Sequence, residues 1–457
     1  MCTVPTPAAD VTHLLHRAWF GGTKAQIAAF SAMNLADVVD AVLTTPLAPD
    51  DIPPPPPLLN DGVTPNWEQY IDLIEWWYNL MATSSTPIVE KMTFFWHGHF
   101  TSSHSSAGNV NWTYDQNVLF RSRALGDMHL LTQEMAIQPI MLDYLNNRFN
   151  TKWGAQQNFA RELMELFTMG IGADHYSEQD IIEVARAWTG HSVDWQTDKY
   201  LFRTNDHDNN TKSIFGVTPP KNWDGPEVID YIFTNVDKQR ATARFMARKL
   251  WTFFAYPNPS ETLVNDLATV FIANNFVVKP LLRALFLRPE FYSATAKNAL
   301  VRSPVEYMVA LMRGLNVPAK FIHPQWFGER MGQALFDPPN VAGWKNNAYW
   351  LTTSAMSARA DLAIYMHWRM WGDSNDPVNK PNIHPLKHLE SEMERRNYSK
   401  SPTQTVDLIE SFLDVTLGAG TRQAMVDFVT NTRAGQHRWT EPQLLVLALV
   451  APEFHVS

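Results

Sequence analysis

Two histidines two residues apart stand inside the aromatic string Phe94-Phe95-Trp96-His97-Gly98-His99-Phe100, with His104 five residues further on. An imidazole buried among rings needs a hydrogen-bonding partner or a metal ion. On a regular helix such residues point about 200° apart and cannot chelate one ion. At a helix end near Gly98, or in extended backbone, they can. The string therefore reads either as hydrogen-bonded core histidines or as a metal or catalytic site.

A second constellation is Asn158-Phe-Ala-Arg161-Glu162-Leu-Met-Glu165-Leu-Phe-Thr168-Met169. At about 100° per residue, Asn158, Arg161, Glu162, Glu165 and Thr168 fall within roughly 120° of arc. The remaining circumference is apolar, the inverse of an ordinary surface helix. The helix is expected to be buried nearly all round, with a narrow polar stripe facing a cavity, a metal or partner charges. Arg161 and Glu165 can pair at i,i+4, leaving Glu162 for another task. Asp180, Glu183 and Arg186 repeat the pattern on the next helix, so the two helices could pair their charges. His207-Asp208-Asn209-Asn210-Thr211-Lys212 can supply ligands, acids or phosphate contacts, or form an exposed turn.

These groups must be positioned by helices. Helical periodicity runs through most of the chain, for example from Asp10 to Trp19, from Thr23 to Val42, and over 67–100, 237–255 and 303–315. Residues 49–66 form a proline-rich surface segment, because the ring fixes φ and removes a donor. Residues 191–226 read as a long loop or small subdomain, 318–350 as loop-rich, and 372–386 as a Pro/Asn/Asp loop. Helices return near 403–416, 420–431 and 440–450, a C-terminal helical segment within 400–457. No Asn-Gly or Asp-Gly hairpin joins two alternating runs. The expected fold is mainly α: one large helical domain over residues 1–457, with long irregular loops and little or no β.

Composition narrows the function. Asp and Glu outnumber Lys and Arg, 46 to 37, which argues against nucleic-acid binding. A single cysteine, Cys2, excludes intrachain disulfides and cysteine zinc sites. No apolar run approaches the roughly 18 residues that span a bilayer. The start Met1-Cys2-Thr3-Val4-Pro5 lacks a basic stretch followed by an apolar one, so a soluble cytoplasmic protein, without a membrane, is expected. There is no dinucleotide fingerprint, P-loop, nucleophile elbow or His-Glu-x-x-His, so no nucleotide cofactor is expected.

Taken in order, several strings resemble the family known as domain of unknown function 1800. They are His13–Gly21, Lys91–Phe100, Asn158–Leu166, Ala185–Gly190, His207–Gly216, Ala247–Trp251, Lys279–Arg283, Gly332–Trp344 and Ala451–Phe454. The resemblance implies one mainly helical unit and no transferable activity. Its members are often exported, and this chain lacks the export signal. The chain departs from the family pattern at Phe167, where His is usual, and at Gln157, where Glu is usual.

Two functional expectations follow. The first is an enzyme whose buried pocket uses His97, His99, Arg161, Glu162 and Glu165 on a small, partly apolar molecule, as in a biosynthetic tailoring step. His97, His99 and Glu162 would hold one divalent Fe, Mn, Zn or Cu ion, with Glu165 as acid or base. Trp96, Asn158, His207, Asp208, Lys212, Asn340 and Trp344 would contact the substrate, under the 191–226 and 332–344 loops. The second is a non-catalytic binding or assembly protein with a protein partner, whose polar stripes are structural ion pairs.

Overall fold

The computed structural model describes residues 4–44, 53–172, 175–297, 299–371, 401–434 and 440–456. The 372–386 loop and residues 49–52 of the proline-rich segment lie outside these. The protein is mainly α. Ala8–Trp19 buries Val11, Leu14, Leu15 and Ala18 at helical spacing and stops at Phe20, where φ is 63°. The 23–42 pattern is two helices, Lys24–Ser31 and Leu35–Val42, because Asn34 caps the second by accepting from Asp37 N–H.

Asn66–Thr83 is followed by Pro87–His99, whose proline occupies the first turn, where an N–H has no helical partner. Every residue from Pro87 to His97 is buried. The helix lies between two apolar cores. Ile88, Val89, Met92, Phe95 and Trp96 enter one core, with the helices Met128–Ala136, Gly225–Thr234 and Val236–Phe254. Phe94 enters the other, with Asn66–Thr83, Pro304–Leu315 and the C-terminal helices Pro402–Leu413 and Thr440–Leu449. Its charges are neutralised where they lie. Glu90 takes two hydrogen bonds from Arg121, at 2.8 and 3.0 Å, and one from Trp77 Nε1 at 3.0 Å. Lys91 pairs with Glu306.

The 191–226 segment is more ordered than a loop. His191–Asp194 and Lys199–Phe202 form an antiparallel hairpin, with His191 opposite Phe202. Its connection is Trp195-Gln-Thr-Asp198, with Asp198 at φ 56°. Asp tolerates the left-handed region, so this turn needs no Asn-Gly signal. Among the described residues, no helix is long and apolar enough to cross a membrane.

Candidate functional site

His99 closes the last turn of its helix and uses both ring nitrogens. Nε2 lies 3.0 Å from the carbonyl of Phe167, and Nδ1 lies 2.7 Å from Lys249 Nζ. The Phe167 carbonyl can only accept, so Nε2 carries the proton, and Nδ1 of the neutral ring accepts from Lys249 Nζ. Burial and the Lys249 charge hold it well below the ordinary imidazole range. Phe167 is the penultimate residue of a π-helical stretch, Leu163–Thr168, whose last carbonyls have no helical partner, and His99 satisfies one of them.

Lys249 lies on the Val236–Phe254 helix. Burial pushes its ammonium down to about 8, and no carboxylate pairs with it among the described residues. It lines a cavity of about 240 Å³ with Phe94, Phe95, Gly98, His99, Phe245 and Trp344. Gln333, Asn346, Arg248 and Thr252 supply its polar edge. Phe245 lies beneath the lysine, 5.2 Å from Nζ to ring centroid. The neutral form of this amine, beside a neutral imidazole and walled by rings, can take a proton from a bound molecule or attack a carbonyl carbon.

The 332–344 loop covers the other side of the helix. His97 Nε2 accepts from Phe336 N–H at 3.1 Å. Its ring sits 5.2 to 5.3 Å from Trp77, Phe336 and Trp344. Burial holds His97 down at about 3. Asp337 ties the loop down, accepting from Ser103 Oγ, Ser105 N–H, Ser105 Oγ and Tyr70 Oη. Gly343 adopts φ 76°, and a Cβ there would stand 2.8 Å from the Gly98 carbonyl oxygen and 3.3 Å from Thr101 Cγ2. Glycine lets the loop backbone meet the helix backbone directly. Gly343→Ala is expected to cost about 2–3 kcal/mol through strain and overlap. A urea midpoint unchanged from that of the parent would refute this.

The expected metal site is not assembled. Pro87–His99 is regular helix through both histidines, so their rings diverge: His97 meets the 332–344 loop and His99 meets Phe167 and Lys249. Both Nε2 atoms and His99 Nδ1 are engaged, and among the described residues the Glu162 carboxylate has no hydrogen bond or ion pair. Among the described residues, no three His, Cys, Asp or Glu side chains converge for a metal ion. His97, His99 and Glu162, expected as a ligand set, do not converge in this structure.

Part of the polar stripe clasps the next helix. Arg161 pairs with Glu165 at 3.3 Å and with both oxygens of Glu178 on the next helix. Glu162 is half-buried; burial and then Glu165 raise its carboxyl. Asn158 is exposed and Thr168 bonds back to Leu163. Arg161→Ala is expected to change stability by less than about 1 kcal/mol, since the pair is largely solvated. Loss of ligand binding in that variant would return the stripe to the site.

Several expected substrate contacts also serve the fold. Trp96 is fully buried and donates to the Ala124 carbonyl. Arg186 joins Glu183 to Asp208, and His207 Nδ1 lies 2.8 Å from the Thr189 carbonyl. Lys212, fully buried, donates to the carbonyls of Asp208 and Asn210 and to Asn222 Oδ1. Asn340 caps a surface turn by accepting from Ala342 N–H. Of the expected residues, His99 and Trp344 line the cavity and His97 stands behind it.

A family model described as "Protein of unknown function (DUF1800)" matches residues 13–456. The chain belongs to the DUF1800 family. No curated protein and no solved structure matches it. Three of the strings that carry the DUF1800 resemblance meet at the cavity: Lys91–Phe100 brings Phe94, Phe95, Gly98 and His99, Ala247–Trp251 brings Arg248 and Lys249, and Gly332–Trp344 brings Gln333 and Trp344. Phe167 is fully buried with its ring 6.3 Å from His99. Lys249 is the cavity residue that sequence reasoning did not single out as a candidate. Its signal was present: Thr242, Met246, Lys249, Leu250 and Phe253 share helical spacing, so the lysine sits on an apolar stripe.

Proposed function

We propose that this protein is an enzyme acting on a small, partly apolar carbonyl compound, with Lys249 and His99 as its proton-transfer pair. The observation that carries this reading is the 2.7 Å contact between Lys249 Nζ and His99 Nδ1 at the wall of an aromatic cavity, with no carboxylate among the described residues to hold the ammonium. In the proposed step, the neutral Nζ removes a proton from the carbon next to the substrate carbonyl. The resulting ammonium is held by donation to His99 Nδ1, and the Phe167 carbonyl keeps His99 in the tautomer that can accept. Phe95, Phe245 and Trp344 would take the apolar part of the substrate, and Gln333 and Asn346 its polar end.

Hydrogen–deuterium exchange into a panel of small aryl ketones and aldehydes tests this. Catalysed exchange next to the carbonyl is expected, falling by at least about 100-fold in Lys249→Met. A steric variant separates occupancy from chemistry. A Cβ at Gly98 meets nothing within 4 Å, so a larger side chain enters open space beside the cavity. Gly98→Leu should fold normally and exclude the same compounds. No exchange with any member by the parent protein would sink the reading. The paired stripes around Arg161 and Arg186 favour a second reading, a binding protein. Under it, the compounds bind, Gly98→Leu excludes them, and no exchange occurs.

A further inference from the structure

A second cavity, of about 500 Å³, opens between residues 20–25, the Pro304–Leu315 helix and residues 411–414. Arg302 and Arg313 line it, with Lys24 at its rim and Asp414 on its wall. Behind it lies an excess of buried positive charge. Arg17, Lys91, Arg302 and Arg359 are each 5% exposed or less. Together with Arg313 they make five cations, facing the carboxylates of Glu306 and Asp414.

Among the described residues no carboxylate hydrogen-bonds these arginines, although Asp414 lies near enough to act on Arg302 and Arg313, and Glu306 on Arg17 and Arg302. Arg17 donates to the Ala296 carbonyl at 2.7 Å and leaves Nε and Nη1 buried without a partner. Arg302 donates to the Phe454 carbonyl at 3.0 Å, and Arg359 to the Arg302 carbonyl at 2.7 Å and to His455 Nδ1 at 3.0 Å. Arg313 donates to the carbonyls of Ala82 and Gly21 at 3.1 and 3.2 Å. Glu306 is taken by Lys91, and Asp414 by His16 and Gly22 N–H. Burial pushes Arg17 down to about 9 and Arg359 down to about 10. A buried cation without a counter-charge is costly, and several in one place favour an anion.

We propose that this cavity binds a phosphate group, held by Arg302 and Arg313. The charge excess favours a multiply charged oxyanion over a carboxylate, and guanidinium forks match its geometry. The cavity has room for more than the bare ion, so the group would be carried on a small molecule. This site is separate from the Lys249 cavity and does not depend on the reading given for it.

Thermal melting and calorimetry of the full chain with inorganic phosphate, glycerol 3-phosphate, acetate and chloride, at matched ionic strength, test the proposal. Saturable binding of the two phosphates, and not of acetate or chloride, is expected. Arg313→Gln should weaken it by about tenfold or more. Asp414→Asn, which removes the repelling charge but keeps an acceptor for Gly22, should tighten it. Tighter binding of glycerol 3-phosphate than of phosphate identifies a phosphorylated small molecule; equal binding identifies the free ion, and both support the site. The proposal is overturned if phosphate and chloride act alike, or if Arg313→Gln binds phosphate as the parent does. Arg302→Gln is the stronger lesion, but Arg313, being only partly buried, decides the matter if that variant does not fold.

Discussion

Lys249→Met should remove an unusually reactive lysine amine and raise the protein's stability in one step. Burial brings the Lys249 ammonium from 10.5 to about 8. At pH 7.5 its neutral fraction then exceeds that of an ordinary lysine by roughly 100-fold. Limiting amounts of an acylating reagent should mark Lys249 ahead of exposed lysines such as Lys279, with a rate midpoint near pH 8. Peptide mapping by mass spectrometry reads this directly, and labelling that follows exposure alone would refute it.

The stability arm has a definite sign. Below pH 8 both the folded and unfolded chains carry the proton, and the folded state bears the full cost of the confined charge. Between about pH 8 and pH 10.5 the unfolded chain holds more protons, so stability rises with pH across that window. Replacing the amine by a thioether of similar reach should therefore stabilise the protein at pH 7 by about 1–2 kcal/mol. This allows for solvent at the cavity mouth and for the hydrogen bond lost by His99. A group that costs stability and is retained in a cavity is what a functional residue looks like energetically. A lower melting temperature in Lys249→Met at pH 7, with no rise of parental stability toward pH 10, would instead make the lysine a structural strut.

Arg121→Met should be the most damaging of the single changes considered, at about 3–5 kcal/mol. Arg121 and Glu90 are 3% and 2% exposed, and the guanidinium meets the carboxylate through two parallel hydrogen bonds. Without Arg121, Glu90 keeps only Trp77 Nε1 as a partner and becomes a buried, nearly unpaired charge. The damage should reach the candidate site, because Trp77 stacks on Phe336 at 5.1 Å and meets His97 edge-on at 5.2 Å. Urea unfolding of Glu90→Met, Arg121→Met and the double variant forms the test. The double variant is expected to recover much of the loss, since it removes both charges. A loss below about 1 kcal/mol for Arg121→Met would show that the pair is not what anchors this helix.

Much of this protein could be read locally. Apolar spacing and end signals located most helices: Val11, Leu14, Leu15 and Ala18 on one face, Ser177 and Asp180 in a capping box, Pro87 in a first turn. The 200° angle between His97 and His99 was also local geometry, and it held because the helix is regular to its end. The hairpin at 191–202 escaped because its four-residue connection uses Asp198 rather than an Asn-Gly pair.

The sequence by itself determined the mainly α class, the family and the string around His99, because these depend on spacing along one chain. Only the tertiary structure decided which charge would be satisfied and which left over. Arg161, Glu165, Arg186 and Lys212 look as chemically promising as Lys249 along the chain. Folding gives the first three ion-pair partners and Lys212 three oxygen acceptors, whereas Lys249 finds an imidazole and a cavity. Some partners are local, as Glu165 is to Arg161 and Asp208, Asn210 and Asn222 are to Lys212, whereas Glu178 stands 17 residues from Arg161 and His99 stands 150 residues from Lys249. Desolvation and pairing are properties of the folded surroundings, and no local pattern encodes them.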